Sequence, residues 1–135
     1  MVPPLRLDIA TIADVEQARR DARQFAEAHG FSREDIEVVA LAVSELAANL
    51  VHYACAGELL LESIPGPVEQ GVRVSSVDRG PGIVNIARAL EDGYSTGGGL
   101  GSGLPGVRRL MDSFEIASSP VGTRIVACKW PTTRS

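Results

Sequence analysis

The chain has 135 residues, 44% hydrophobic and 22% charged, which suits one globular domain that buries its core without disulfide or metal support. Its net charge of −4 argues against nucleic acid as a partner, because phosphate-backbone binders carry a basic excess. Met1 to Asp8 lacks the features of a secretory signal, and no stretch approaches the roughly 20 apolar residues that span a bilayer, so a cytoplasmic protein without membrane contact is expected.

Leu5, Leu7 and Ile9 alternate with Arg6 and Asp8, the period of a half-buried strand. From Thr11 to Ala28 the apolar positions Ile12, Val15, Ala18, Ala22, Phe25 and Ala26 follow helical spacing, and Gly30 stops the helix. Ser32 and Asp35 read as a capping box for a second helix running to about Ala54. Its apolar face is Ile36, Val39, Ala40, Val43, Leu46, Ala47 and Leu50. Glu45 and Asn49 stand one turn apart beside that stripe, and His52 shares their general direction. Cys55 and Cys128 form no C-x-x-C and have no zinc spacing, so both are expected as buried reduced thiols.

Glu58 to Ile64 and Val72 to Asp78 read as an antiparallel strand pair around Pro65-Gly66-Pro67. Ile83 to Leu90 is a weak helical stretch, and Glu91 to Gly103 has no periodicity. Within it, Gly97, Gly98, Gly99, Gly101 and Gly103 fill five of seven positions, and Leu104, Val107, Leu110 and Met111 then take up helical spacing, with Pro105 in the first turn. A glycine loop feeding a helix N-terminus offers backbone N–H groups to an anion, phosphate above all. Gly101, Gly103 and Gly106 spell G-x-G-x-x-G, but no strand precedes them, which argues against the dinucleotide fingerprint, and no Gly-Lys-Ser/Thr follows to make a P-loop. Phe114 to Ser118 and Thr123 to Trp130 form a last strand pair. The order predicts a single α/β (α+β) domain over residues 1–135: a two-layer sandwich, a mixed sheet with helices on one face.

Glu45-x-x-x-Asn49 on a helix, Asp78-Arg79-Gly80-Pro81-Gly82 closing a strand, and the glycine run opening a helix together resemble the Bergerat-type ATP-binding domain of histidine kinases, Hsp90, gyrase and MutL. The stretch from Glu91 through Asp112 is most similar to the small anti-sigma-factor serine/threonine kinases, and among them to the stressosome switch kinases (RsbT-type). The likeness runs from about Leu5 to Trp130. It implies the Bergerat fold with ATP and Mg²⁺ as cofactors.

The resemblance also implies roles residue by residue, each with a physical reason. Asp78 accepts a hydrogen bond from the adenine amino group, strengthened by the carboxylate's charge, and Gly80 and Gly82 leave room for the base. Asn49 is the magnesium ligand, a neutral oxygen suited to a hard cation already neutralised by phosphates. Glu45 faces the γ-phosphate as general base. Gly97, Gly98, Gly99, Leu100, Gly101, Ser102 and Gly103 form the lid and phosphate cradle, Leu104 opens the helix whose N–H groups meet the triphosphate, and Thr123 approaches the adenine side. His52 stands where the wider superfamily often has a phosphate-touching cation, and a neutral, partly buried ring is expected there. His52, Arg108 and Arg109 receive no site role.

The function implied is a serine/threonine protein kinase that passes the γ-phosphate of Mg-ATP to a STAS-domain antagonist or scaffold in a partner-switching stress or sigma-factor pathway. A PP2C-type phosphatase or a sigma factor is a further candidate partner. The alternative is a sequestering anti-sigma factor or ATP-dependent binding module with little turnover.

Overall fold

A computed structural model describes residues 2–54, 57–78 and 103–132. The elements are strand β1 (Leu5–Ile9), helix α1 (Ile12–Ala28), helix α2 (Arg33–Asn49) continued by a π-helical turn (Leu50–Ala54), strands β2 (Gly57–Ile64) and β3 (Gly71–Asp78), helix α3 (Gly103–Leu110), and strands β4 (Ser113–Ser119) and β5 (Gly122–Lys129). The helical stretch expected at Ile83 to Leu90 lies outside the described residues.

The five strands form one sheet in the order β1-β2-β3-β5-β4, and every neighbouring pair is antiparallel. This corrects the expectation of a mixed sheet. Two helices between β1 and β2 return the chain to the end of the sheet where β1 finished, so β2 runs back along it. Strands β3 and β4 do point the same way, but β5 lies between them. The residues explain that insertion. Strand β5 buries Thr123, Ile125, Ala127 and Lys129 on its inner face, whereas β4 alternates exposed and half-buried positions along its length, the pattern of an edge.

All three helices contribute to the core on one face of the sheet. Leu7 and Ile9 of β1 point inward and Arg6 and Asp8 outward, as their alternation requires. Val39, Val43 and Leu46 of α2 and Leu50 of the turn that continues it share the core with Leu59, Leu61, Val72, Val74, Ile125 and Ala127 of the sheet, together with Phe25 of α1, Val107 of α3 and Met111 just after α3. Each fully buried Val, Leu, Ile or Phe contributes about 1.5–3 kcal/mol relative to exposure. Helices α1 and α2 form an antiparallel hairpin, tied on its outer side by a bidentate Arg23–Glu37 pair at 2.8 and 3.1 Å and by Arg19 donating to Ser44 Oγ at 3.1 Å.

The helix starts differ from their sequence signatures in an instructive way. At α1, Thr11 and Asp14 form a full capping box, and the backbone N–H groups of Ala10 and Thr11 hold the Asp14 carboxyl below its usual range. At α2, Ser32 Oγ accepts from the Asp35 backbone N–H at 3.2 Å, but the reciprocal half of the expected box is not made. The Asp35 carboxylate instead takes the backbone N–H and the hydroxyl of Thr132, each at 2.8 Å. Lys129 Nζ stands 3.9 Å from Asp35 and 3.6 Å from Asp112, so the end of β5 is clasped to the start of α2 and the residues after α3.

Candidate functional site

Two clusters of the expected site residues form at the same end of the sheet. The first lies where α2 meets α3. Glu45 is buried on the α3 side of α2, and its Oε2 accepts the backbone N–H of Gly103 at 3.2 Å. Gly103 has φ +70°, a left-handed backbone that a side chain would strain, and it is here that the glycine run turns into the helix. Leu104 sends its side chain into the core, which leaves its backbone N–H as the group available for any role at the helix start. Asn49 lies one turn beyond Glu45, half-buried, at the junction where α2 widens into the π-helical turn. Such widened turns recur at functional sites.

The second cluster is a row across the sheet. Ile9, Gly57, Asp78, Thr123 and Ser118 are register partners in successive strands, so Asp78 and Thr123 sit side by side. Thr123 is buried, and its hydroxyl shares a 2.7 Å hydrogen bond with Ser118 Oγ.

Gly57 joins the clusters, and the strand signal starting at Glu58 missed it. A Cβ at Gly57 would lie 2.6 Å from Leu50 Cδ2, 2.6 Å from the Val77 carbonyl oxygen and 3.3 Å from Asp78 Cβ. Leu50, the residue after Asn49, therefore reaches the end of β3 only because position 57 has no side chain. The run Ala54-Cys55-Ala56-Gly57 carries the available signal, four small residues ending in a glycine just before the apolar run.

His52 is exposed rather than partly buried. The wider π-helical turn breaks the three-residue alignment with Asn49 that a continuous α-helix would give. Cys128 is a free thiol and half-buried rather than buried, because it faces the uncovered side of β5. Gly80, Gly82, Gly97, Gly98, Gly99, Leu100, Gly101, Ser102 and Cys55 lie outside the described residues.

Asp78 borders a cleft of about 620 Å³ with Asp8, Asp14, Gly57 and Glu58, and another of about 350 Å³ with Ser118, Gly122 and Thr123. Glu45 and Asn49 line neither of these two. Four carboxylates around the larger cleft oppose a polyphosphate. The α2–α3 junction sets a single carboxylate, Glu45, against a helix N-terminus, with the neutral amide of Asn49 one turn on, and so opposes a polyphosphate less than the larger cleft does. Among the described residues no group of three or more His, Cys, Asp or Glu side chains could hold a metal ion, and Asn49 offers a neutral amide oxygen of the kind that suits a hard cation also held by phosphate oxygens and water. That donor set fits magnesium bound with its nucleotide.

No helix among the described residues is long and apolar enough to cross a membrane. Residues 9–129 match the family of histidine kinase-like ATPase domains. The chain is 43% identical over 123 residues to the serine/threonine-protein kinase RsbT of Bacillus subtilis (strain 168), covering 90% of this chain and 92% of that one. Among solved structures, the RsbU and RsbW domains of Rv1364c from Mycobacterium tuberculosis superpose with a TM-score of 0.66 at 24% identity, over 95% of this chain and 32% of that much longer one. The SiaB–SiaC complex from Pseudomonas aeruginosa superposes with a TM-score of 0.55 at 12% identity, over 95% of this chain and 89% of the other. These two likenesses concern the fold. The family match and the RsbT relationship span nearly the whole chain, and the protein belongs to the histidine kinase-like ATPase domain family.

Proposed function

We propose that this protein transfers the γ-phosphate of Mg-ATP to a serine or threonine of a STAS-domain partner and acts by partner switching. It is an ATP-dependent serine/threonine kinase, supported by its 43% identity over nearly the full length of RsbT. The structural observation that carries the chemical reading is the buried Glu45 carboxylate set against the N-terminus of α3, one turn from Asn49.

In this reading Asp78 and Thr123 orient the adenine, and the first-turn N–H groups of α3 hold phosphate oxygens. Asn49 would give one oxygen to magnesium, which when bound would supply positive charge to neutralise the phosphates. Glu45 takes the proton of the incoming hydroxyl as that oxygen bonds to the γ-phosphorus, the bond to the bridging oxygen breaks, and ADP leaves. Gly80, Gly82 and Gly97 through Ser102 complete the pocket around base and phosphates, and the whole chain works as one cytoplasmic domain. A PP2C-type phosphatase or a sigma factor is the partner engaged when the STAS protein is released.

The hydrogen bond from Gly103 also favours a second reading. It gives Glu45 a structural duty, as in a sequestering module that binds ATP with little turnover. Incubation of the purified protein with γ-labelled ATP and a purified STAS-domain protein decides between them. Magnesium-dependent label on the STAS protein, abolished by a chelator, is the expected result. Nucleotide binding and stable STAS capture without label would overturn the kinase assignment.

A further inference from the structure

Three strands change character at the same end of the sheet. On the face that meets the helices, β3 presents Val72, Val74 and Ser76 leading to Asp78, β5 presents Ala127 and Ile125 leading to Thr123, and β4 presents Phe114 and Ile116 leading to Ser118. The last row, Asp78, Thr123 and Ser118, is polar throughout, and its three members line one cleft of about 350 Å³. Ser118 lies half-buried on the edge strand, where an apolar side chain would simply extend the packing of Phe114 and Ile116.

The hydroxyls of Ser118 and Thr123 are joined by one hydrogen bond of 2.7 Å. A hydroxyl has a single hydrogen to donate and two lone pairs to accept with, so whichever of the two donates, the other keeps its own hydrogen for a further partner. The neighbouring charge decides between them. Register partners on adjacent strands hold their Cβ atoms about 4.5–5.5 Å apart on one face. The Asp78 carboxylate therefore draws the Thr123 hydrogen toward its own side and turns the Thr123 lone pairs toward Ser118.

We infer that Ser118 is a positioning residue for base selection: it donates to Thr123 and so fixes the buried threonine hydroxyl as a donor beside the Asp78 acceptor. An acceptor next to a donor matches a base edge that offers an amino group next to an unprotonated ring nitrogen, as adenine does with its 6-amino group and N1. Guanine offers the reverse, a carbonyl oxygen next to a ring N–H, and its oxygen would oppose the carboxylate. The inference rests on the reading that Asp78 and Thr123 face the base, and it adds the residue that sets which way the threonine hydroxyl points.

The test is calorimetry on the full chain with Mg-ATP, with 1-deaza-ATP, which has C–H in place of N1, and with purine riboside triphosphate, which lacks the amino group. Ser118→Ala leaves the Thr123 hydroxyl free to rotate. Its ATP affinity is expected to fall about three- to tenfold, the scale of one hydrogen bond, while its affinity for 1-deaza-ATP stays within about twofold of wild type and its preference for ATP over GTP narrows. Ser118→Thr keeps the hydroxyl and is expected to bind ATP within about twofold of wild type. Equal losses for ATP and 1-deaza-ATP in Ser118→Ala would mark a purely structural role and overturn the inference, as would an ATP affinity that the substitution leaves unchanged. The wild type provides a check that depends on no variant. If it binds ATP and 1-deaza-ATP alike but discriminates against purine riboside triphosphate, the inference falls and Asp78 remains the base anchor. Equal binding of all three nucleotides, or binding of none, removes the adenine reading together with the inference.

Discussion

The carboxylate of Glu45 accepts the backbone N–H of Gly103 at 3.2 Å, linking the middle of one helix to the first residue of another 58 positions away. A carboxylate at the positive end of a helix is favourable on both electrostatic and hydrogen-bonding grounds. The contact therefore holds α3 against α2 and points the carboxylate at the first turn of α3.

Glu45→Gln keeps an oxygen acceptor for Gly103 and removes the basicity. If Glu45 is the general base, kcat for labelled transfer should fall by about 10²- to 10⁴-fold, while ATP affinity by calorimetry stays within a few-fold. Transfer at the wild-type rate would show that the carboxylate serves only to cap α3.

Asp78 and Thr123 are neighbours in the sheet, which gives the adenine end its own test. Asp78→Asn replaces an acceptor-only carboxylate with an amide whose NH₂ opposes the adenine amino group. ATP affinity is expected to fall at least about tenfold, equivalent to about 1.4 kcal/mol, with the thermal midpoint little changed. Unchanged affinity would remove Asp78 from the adenine site.

Gly57→Val tests whether the two clusters depend on one close approach. Its Cβ would lie 2.6 Å from both Leu50 Cδ2 and a backbone carbonyl that cannot swing away. Overpacking of this kind costs about 1–3 kcal/mol, read as a lower denaturation midpoint. Because Leu50 follows Asn49, ATP binding should weaken as well. A variant as stable as wild type would mean that the end of α2 has room to move.

Much of this arrangement was legible in the residues. The alternation in Leu5–Ile9 and the β-branched content of β3 and β5 located the strands to within a residue or two, because one face of each is buried. Glu45 and Asn49 stood out because helical spacing put two polar groups beside an apolar stripe. What stayed hidden depends on distant parts of the chain. The interior place of β5 follows from pairing with β3, some fifty residues earlier, and local pattern does not encode sheet order. The role of Asp35 was read as a local cap because its true partner, Thr132, is 97 positions away. The need for glycine at position 57 arises only when Leu50 crosses it, and the π-helical turn that exposes His52 carries no distinguishing periodicity.

Asp35 also makes stability depend on acid in a direction that can be worked out. Burial alone would push its carboxyl up, but the N–H and O–H of Thr132, the Lys129 charge and Ser32 together outweigh that, and it titrates below its ordinary value in the folded chain. A carboxyl more acidic when folded than when unfolded stabilises the fold fully above the unfolded value, near about 3.9, and loses that contribution as pH falls through the folded value. Asp35→Asn should therefore cost about 1–3 kcal/mol at neutral pH, the range for a hydrogen-bonded charged group. The gap between variant and wild type should narrow as pH drops below about 4, where the wild type too becomes uncharged at this site. Thermal midpoints measured from pH 7 down to acid check the sign. Two curves that run parallel over the whole range would show that the Asp35 charge adds nothing to holding the end of β5 on α2.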